Sequence, residues 1–222
     1  MTSPSGTPAP FLDGLTDARL LAILRGSSAA ATVDTALTLL DEGFRYLEVS
    51  LNTENALDVI AQVAARAPSG ATIGAGTVLS ADDVRRVRDA GGSFIVTPVI
   101  ADSVAEGASL GMPVLAGALT PSEALQGMSL GATAIKLFPV SIGGPAYLSA
   151  VRDPLPHIPF IPVGGVTADL AGDYFARGAV AVGLGSPLIG DAAAGGSLDD
   201  LRTRARQFLS VAERSRPASD AS

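Results

Sequence analysis

The sequence of 222 residues contains no cysteine, no tryptophan, one histidine and one lysine. The missing cysteine excludes disulfides, thiolate metal sites and a cysteine nucleophile. The one histidine, His157, stands in the proline-rich stretch 154–159, which predicts a surface position between a helix and the next strand. A transition-metal site and a Ser–His–Asp triad therefore both lack the residues they need. We expect no bound metal.

Positive charge is also scarce, because 15 lysines and arginines face 22 acidic residues and give a net charge of −7. This balance argues against nucleic acid or an anionic membrane as a partner, since either favours a basic surface. No apolar run reaches the roughly 20 residues of a membrane span. The residues before Phe11 lack the basic start and apolar run of a secretory signal. We therefore expect a cytoplasmic protein.

Between two polar ends, short apolar runs alternate with amphipathic segments. We expect disordered tails at 1–10 and 214–222, and one domain over 11–213. The apolar runs, which are bounded by glycine and rich in β-branched residues, predict eight strands: 21–24, 46–51, 72–76, 94–97, 114–117, 134–137, 160–163 and 180–184.

The segments between these strands carry apolar residues at three- and four-residue spacing, which predicts helices. They are 34–40, 55–65, 81–89, 103–109, 122–129, 147–151, 169–176 and 198–211. Ser80 and Thr167 stand where N-caps are expected. Eight strand-then-helix units predict a single (β/α)8 TIM barrel with parallel strands, and a doubly wound open sheet is the alternative.

The one lysine, Lys136, lies inside the apolar run 134–139, although 14 arginines serve elsewhere. Arginine stays protonated, whereas a desolvated lysine can lose its proton and add to a carbonyl to form a Schiff base. In a barrel this residue lies near the end of strand six, and barrel active sites lie at those strand ends. The alternative is a lysine that extends its ammonium to water.

Glu48 lies between two apolar residues of predicted strand two. Alternation turns its side chain either into the barrel or toward the helices, and both positions are costly without a partner. Burial would raise its pKa toward the range useful for proton transfer. A catalytic carboxylate and a structural partner of Arg25 or Lys136 are both consistent with this pattern.

Two glycine-containing pairs suggest a phosphate site. Gly164 and Gly165 follow strand seven, and Gly185 and Ser186 follow strand eight. These two loops often hold a phosphate in (β/α)8 barrels, because backbone N–H groups can approach an oxyanion where glycine leaves room. Tight turns are the alternative. The stretch 74–76, Gly-Ala-Gly, lacks the rest of a dinucleotide fingerprint.

Seven motifs, in this order, resemble those of a known family: 21–26, 47–53, 73–78, 96–98, 135–139, 163–166 and 183–186. The chain resembles the class I 2-keto-3-deoxy-6-phosphogluconate and 6-phosphogalactonate aldolases from about Leu20 to Gly190. The resemblance implies a homotrimer that cleaves a phosphorylated keto-deoxy sugar acid to pyruvate and glyceraldehyde 3-phosphate. It also implies a covalent lysine imine and no cofactor.

The resemblance implies a role for each matching residue. Lys136 would form the imine and Glu48 would move protons. Thr77 and Pro98 would line the pyruvate end, with Phe138 packed beside the imine. Four residues would hold the phosphate: Gly164, Gly165, Gly185 and Ser186.

One departure concerns substrate choice. Phosphogluconate-type members have Leu-Arg-Thr where this chain has 51–53, Leu-Asn-Thr. Phosphogalactonate-type members have asparagine there and Ile-Leu-Arg-Gly at the end of strand one, as here at 23–26. Arg25 would then bind the substrate carboxylate. The resemblance thus favours phosphogalactonate, and the wider family also includes activity on 4-hydroxy-2-oxoglutarate.

Two other interpretations stay open at this point. A phosphate-binding barrel isomerase or synthase could use Lys136 as an electrostatic group in acid–base chemistry. A non-catalytic barrel could bind phosphorylated sugars as a sensor.

Overall fold

The apolar runs of the sequence form eight parallel strands in the computed structural model, which describes residues 8–216. All their residues are buried. The strands are β1 (Leu20–Leu24), β2 (Tyr46–Ser50), β3 (Thr72–Gly76), β4 (Ile95–Val96), β5 (Val114–Ala118), β6 (Ala134–Leu137), β7 (Phe160–Pro162) and β8 (Val182–Leu184).

The order of the strands identifies a barrel. Neighbours follow the sequence from β1 to β7, and β8 pairs with β1 at Leu20 and Val182. A parallel bridge between Val163 and Gly183 joins the ends of β7 and β8. Because the first and last strands meet, the predicted (β/α)8 barrel is confirmed and the open sheet is excluded.

Helices connect the strands and surround them. They are α1 (Pro8–Ala18), α2 (Ala29–Glu42), α3 (Ala56–Arg66), α4 (Ala81–Asp89), α5 (Asp102–Ser109), α6 (Pro121–Ser129), α7 (Gly144–Arg152), α8 (Ala168–Ala176), α9 (Ser186–Ile189) and α10 (Leu198–Arg214). The predicted N-caps are confirmed: the Ser80 side chain accepts from Asp83 N and the Thr167 side chain from Leu170 N. No helix within 8–216 is both long and apolar enough to cross a membrane.

Several boundaries differ from the sequence-based expectation. Helix α1 begins at Pro8, inside the segment 1–10 that we expected to be a tail, and residues 1–7 and 217–222 lie outside the described part. Helix α2 begins five residues before the predicted range 34–40, because Ser28 caps it at Ala31 N. The sequence prediction followed apolar periodicity and passed over that cap.

Two apolar cores hold the barrel together. The outer core lies between the strands and the surrounding helices. The inner core lies inside the barrel, where helix α1 contributes Phe11 and Leu15. The Phe11 ring packs against Tyr46 and Phe94, with centroid distances of 5.4 and 5.0 Å. Burying a ring of this kind stabilises the fold by about 2 kcal/mol, so α1 is part of the barrel's core.

Candidate active site

A cavity of about 440 Å³ opens at the carboxyl ends of the strands. Nine of the ten residues singled out from the sequence line it: Arg25, Thr77, Pro98, Lys136, Phe138, Gly164, Gly165, Gly185 and Ser186. The tenth, Glu48, lies behind Lys136 in the barrel interior. His157 is exposed outside this cavity, as expected from the sequence.

Glu48 and Lys136 meet across the barrel. They come from β2 and β6, which are four strands apart in the closed ring of eight. The Nζ atom of Lys136 lies 3.8 Å from Oε1 of Glu48, and the side chains are 9% and 2% exposed. The two groups therefore lie within ion-pair distance of each other but too far apart for a direct hydrogen bond. Of the two directions that alternation allowed for Glu48, the structure shows the inward one.

The environment of Glu48 favours its neutral form. Burial raises the pKa of this carboxyl group, and the positive charges of Lys136 and Arg25 oppose that shift. Within residues 8–216, Oε2 of Glu48 is buried and accepts no hydrogen bond. A buried oxygen without a partner is costly for stability alone, and such groups concentrate at functional sites.

Glycine at position 76 makes room for this carboxyl group. A Cβ atom there would collide with Oε1 of Glu48. In the middle of β3, a Cβ at Gly74 would collide with the backbone and ring of Phe94. The Gly-Ala-Gly stretch thus serves the packing of the barrel interior, a role that its sequence did not reveal.

Phe138 forms one wall of the cavity. Its ring centroid lies 5.4 Å from Nζ of Lys136, within range of a cation–π contact. The residue as a whole is 36% exposed. A Cβ at Gly164 would lie 3.3 Å from this ring, so the loop after β7 packs closely on Phe138.

The hydroxyl group of Thr77 is held by a hydrogen bond with a serine of β2. Thr77 has a φ of 59°, a left-handed conformation that is unusual for a β-branched residue. Its Oγ1 lies 2.9 Å from Oγ of Ser50, the buried last residue of β2. Ser50 was not among the sequence predictions, because nothing in its local pattern distinguishes it from other small strand residues.

The loops after β7 and β8 form the opposite side of the cavity. Gly164 and Gly165 have φ angles of 106° and 77°, which glycine adopts without strain. Their N–H groups donate to no backbone acceptor within 8–216. Nothing lies within 4 Å of the Cβ position of Gly185, and Ser186 begins α9. These loops can therefore accept an oxyanion.

Comparison with known proteins gives the family. The family model for KDPG and KHG aldolase matches residues 12–200. The chain belongs to the KDPG and KHG aldolase family. The predicted resemblance is thus confirmed, and it extends beyond the range from Leu20 to Gly190 over which the motifs were recognised.

Individual members of this aldolase family show similar coverage. The chain is 37% identical to the probable 2-dehydro-3-deoxy-6-phosphogalactonate aldolase of Rhizobium meliloti (strain 1021), covering 86% of this chain and 90% of that protein. It is 35% identical to the KHG/KDPG aldolase of Escherichia coli (strain K12), covering 82% and 86%. A native KDPGal structure superposes with a TM-score of 0.82 at 32% identity, covering 88% and 95%.

Family membership makes the chain an aldolase, and three features of its cavity were not anticipated from the sequence. Ile23 and Val163 supply apolar lining, and the wall beside Ser186 is completed by Pro187, Ile189 and Gly190. The β5 residue Gly117 allows β4 and β5 to approach each other closely, since a Cβ there would collide with Pro98.

Within 8–216, no cluster of three or more His, Asp or Glu side chains could hold a metal ion.

Proposed function

We propose that this aldolase works through a Schiff base at Lys136 and cleaves 2-keto-3-deoxy-6-phosphogalactonate in preference to 2-keto-3-deoxy-6-phosphogluconate. The products are pyruvate and glyceraldehyde 3-phosphate. One observation carries the proposal: the chain's single lysine lies nearly buried in the cavity, 3.8 Å from a buried carboxyl group. An exposed lysine serves for solubility, whereas this position desolvates an amine beside a proton carrier.

The proposed reaction begins when the Lys136 amine adds to the C2 carbonyl carbon of the substrate. The carbinolamine loses water and leaves a protonated imine. Removal of the C4 hydroxyl proton then breaks the C3–C4 bond, and the bonding electrons move into the imine to give an enamine and the aldehyde. A proton returns to C3, and water releases pyruvate and the free amine. The imine is the electron sink, so the reaction requires no cofactor.

Glu48 is the proposed proton carrier for these steps. Its carboxyl group lies beside Nζ, where the carbinolamine hydroxyl forms and leaves. Because burial raises the pKa of Glu48, this group takes up a proton more readily than a surface glutamate does. A group that must both give and accept protons benefits from that shift.

The rest of the cavity orients the proposed substrate. Arg25 lines the cavity and binds the C1 carboxylate in this proposal, in the absence of an arginine at position 52. Thr77 and Pro98 line the pyruvate end beside Lys136, and Phe138 covers the imine. Four residues bind the phosphate in this proposal: Gly164, Gly165, Gly185 and Ser186.

Reductive trapping tests the imine directly. Borohydride added to protein with pyruvate should attach one pyruvate-derived group to the peptide that contains Lys136. Because no other lysine exists in the chain, the N-terminal amine is the main competing site and serves as an internal control. An unmodified Lys136 peptide would contradict the proposal.

Lys136→Arg separates imine chemistry from acid–base chemistry. Arginine keeps the positive charge and cannot form the adduct, so we expect loss of turnover. If the variant retained most of its turnover, imine chemistry would be excluded, and an isomerase or synthase that works by acid–base chemistry would be favoured. Parallel assays of pyruvate release from the two phosphorylated epimers and from 4-hydroxy-2-oxoglutarate test the substrate preference.

We also propose that the chain forms a homotrimer, as its resemblance implies. Four large apolar side chains on consecutive βα units support a contact surface: Leu79, Val99, Leu125 and Ile142, which are 45 to 71% exposed. Val99→Asp combined with Ile142→Asp should dissociate the assembly in light scattering. Ala30→Asp, on the unit after β1, adds the same charge elsewhere and should leave it intact.

A further inference from the structure

Helix α9 is a single turn with its first residue in the proposed phosphate site. It spans Ser186–Ile189, and the N–H groups of its last two residues and of the following Gly190 donate to the carbonyls of Gly185 and Ser186. One helical turn fixes several backbone angles for few hydrogen bonds, so an isolated turn has marginal stability. Helix α9 therefore needs contacts from another element to keep its conformation.

Arg204 of helix α10 supplies those contacts. Its Nε donates to the carbonyl of Leu188 at 2.7 Å, and its Nη2 donates to the carbonyl of Ile189 at 3.0 Å. One guanidinium group thus binds two successive carbonyls at the end of α9. Hydrogen bonds from a charged donor are stronger than neutral ones, and the rigid fork fixes both acceptors together.

The next residue is shaped to admit this guanidinium. Gly190 has a φ of 57°, and a Cβ there would lie 2.6 Å from Nη2 of Arg204. Gly190 and Ile189 also line the cavity. The backbone that Arg204 binds is therefore the outer layer of the cavity wall.

The neighbouring arginines of α10 have a different task. Arg202 and Arg206 donate to the carboxylate of Glu42 at the end of α2. They join two helices on the outside of the barrel, away from α9. Arg204 differs from both because its acceptors are backbone carbonyls of the wall beside Ser186.

We propose that Arg204 is a positioning residue for phosphate recognition: it holds α9 so that Gly185 and Ser186 face the substrate phosphate. The inference rests on the proposed function. It assigns to α10 a share in substrate affinity although Arg204 is not part of the cavity lining. It also implies that losing Arg204 weakens recognition of phosphate while leaving chemistry at Lys136 unchanged.

Arg204→Ala should raise KM for the phosphorylated substrate by about 10- to 100-fold, the effect expected from charged hydrogen bonds of ordinary strength. The half-saturating pyruvate concentration in borohydride trapping should change less than about 2-fold, since pyruvate carries no phosphate. Arg202→Ala is the matched control, because it removes an arginine from the same helix without touching α9. We expect its KM to match that of the wild type.

A purely structural role predicts a different result. If Arg204 only stabilised α10 or the fold, Arg204→Ala and Arg202→Ala would lower thermal stability with similar effects on both substrates, which would overturn the inference. Millimolar guanidinium should partly restore KM in Arg204→Ala, and failure of that rescue would count against it. Arg204→Lys, which keeps the charge but presents one ammonium, provides the same test with an intermediate KM if the alanine variant does not fold.

The experiment also separates this inference from the proposed function. If wild-type Lys136 traps no pyruvate, the proposed function fails while Arg204 can still be tested by inorganic phosphate, titrated with phosphorus NMR against wild type and Arg204→Ala. Weaker phosphate binding by the variant would support the positioning role. Equal binding would overturn it.

Discussion

The carboxyl group of Glu48 lies against Gly76, at a point where any side chain on residue 76 would collide with Oε1. An acidic residue of β2 is therefore accommodated by the absence of a side chain on the neighbouring strand β3. The space leaves Glu48 turned toward Lys136, with Oε2 free of any partner within 8–216. The space left by the missing side chain at Gly76 lets the barrel interior hold the Glu48 carboxyl group beside the Lys136 amine.

Glu48→Gln should lower kcat for aldol cleavage by about 100-fold or more, the usual contribution of a positioned acid or base. Because burial raises the pKa of Glu48, the carboxylate is lost at a higher pH than for an exposed glutamate. Activity of the wild type should therefore fall as the pH is lowered, at a higher pH than an exposed glutamate would give, and this limb should vanish in the variant. Rates measured from pH 4 to pH 9 would show it, and a limb that persists in the variant would assign it to another group.

Ser50→Ala should impair substrate binding through Thr77. The change removes the 2.9 Å contact between their hydroxyl groups and frees the Thr77 side chain to rotate, so KM should rise while the free energy of unfolding falls by about 1 kcal/mol. Ser103→Ala is the control, since Ser103 is also buried and donates to the carbonyl of Val78 at 2.8 Å. Ser103→Ala should lower the free energy of unfolding by a similar amount and leave KM unchanged. Equal KM values for the two variants would contradict the claim that Ser50 orients Thr77 for substrate binding.

Gly164→Ala tests the loop after β7. Gly164 and Gly43 have nearly the same φ, 106° and 107°, so alanine at either position should cost about 1 kcal/mol of stability. Gly43 ends α2 in open space, whereas a Cβ at Gly164 presses on Phe138 and Pro139. We expect Gly164→Ala alone to raise KM for the phosphorylated substrate. Thermal unfolding and steady-state kinetics on both variants separate the backbone cost from the effect on the site.

Glu42→Gln should remove a pH-dependent contribution to stability. Hydrogen bonds from Arg206 and Arg202 lower the pKa of Glu42 to about 2, below its value in the unfolded chain. The stabilisation is therefore complete above the unfolded-state pKa and is lost as pH falls from about 4.5 toward 2. Urea unfolding should show wild type and variant differing at pH 7 and converging near pH 2. An exposed glutamate, Glu54, provides the control variant Glu54→Gln, and a difference constant with pH would refute the linkage.

Much of this architecture could be predicted because its signals are local. Alternating apolar runs and amphipathic segments predict the strands and helices, and barrel topology then brings the strand ends together. That topology places Lys136, Thr77 and Gly164 around one cavity although they are far apart in sequence. Here a general property of the fold supplied what local patterns lack.

The features that sequence did not predict depend on contacts between distant segments. Gly76 acquires its meaning from Glu48, and Arg204 acquires its meaning from α9. The inward direction of Glu48 follows from the pairing of β2 with its neighbours, because either direction satisfies alternation. Helix α1 precedes the first strand and lies outside the strand-then-helix repeat, so the repeat gave no reason to expect it.

Helix α1 also decides how molecules move through the proposed reaction. Phe11 and Leu15 fill the amino end of the barrel, so the cavity has its opening at the carboxyl end, and substrate and products share that route. After bond cleavage under the proposed chemistry, the three-carbon pyruvate unit is still bonded to Lys136 at the inner end, while the phosphorylated aldehyde lies nearer the rim. The aldehyde must then depart first, and the release of products has a fixed order.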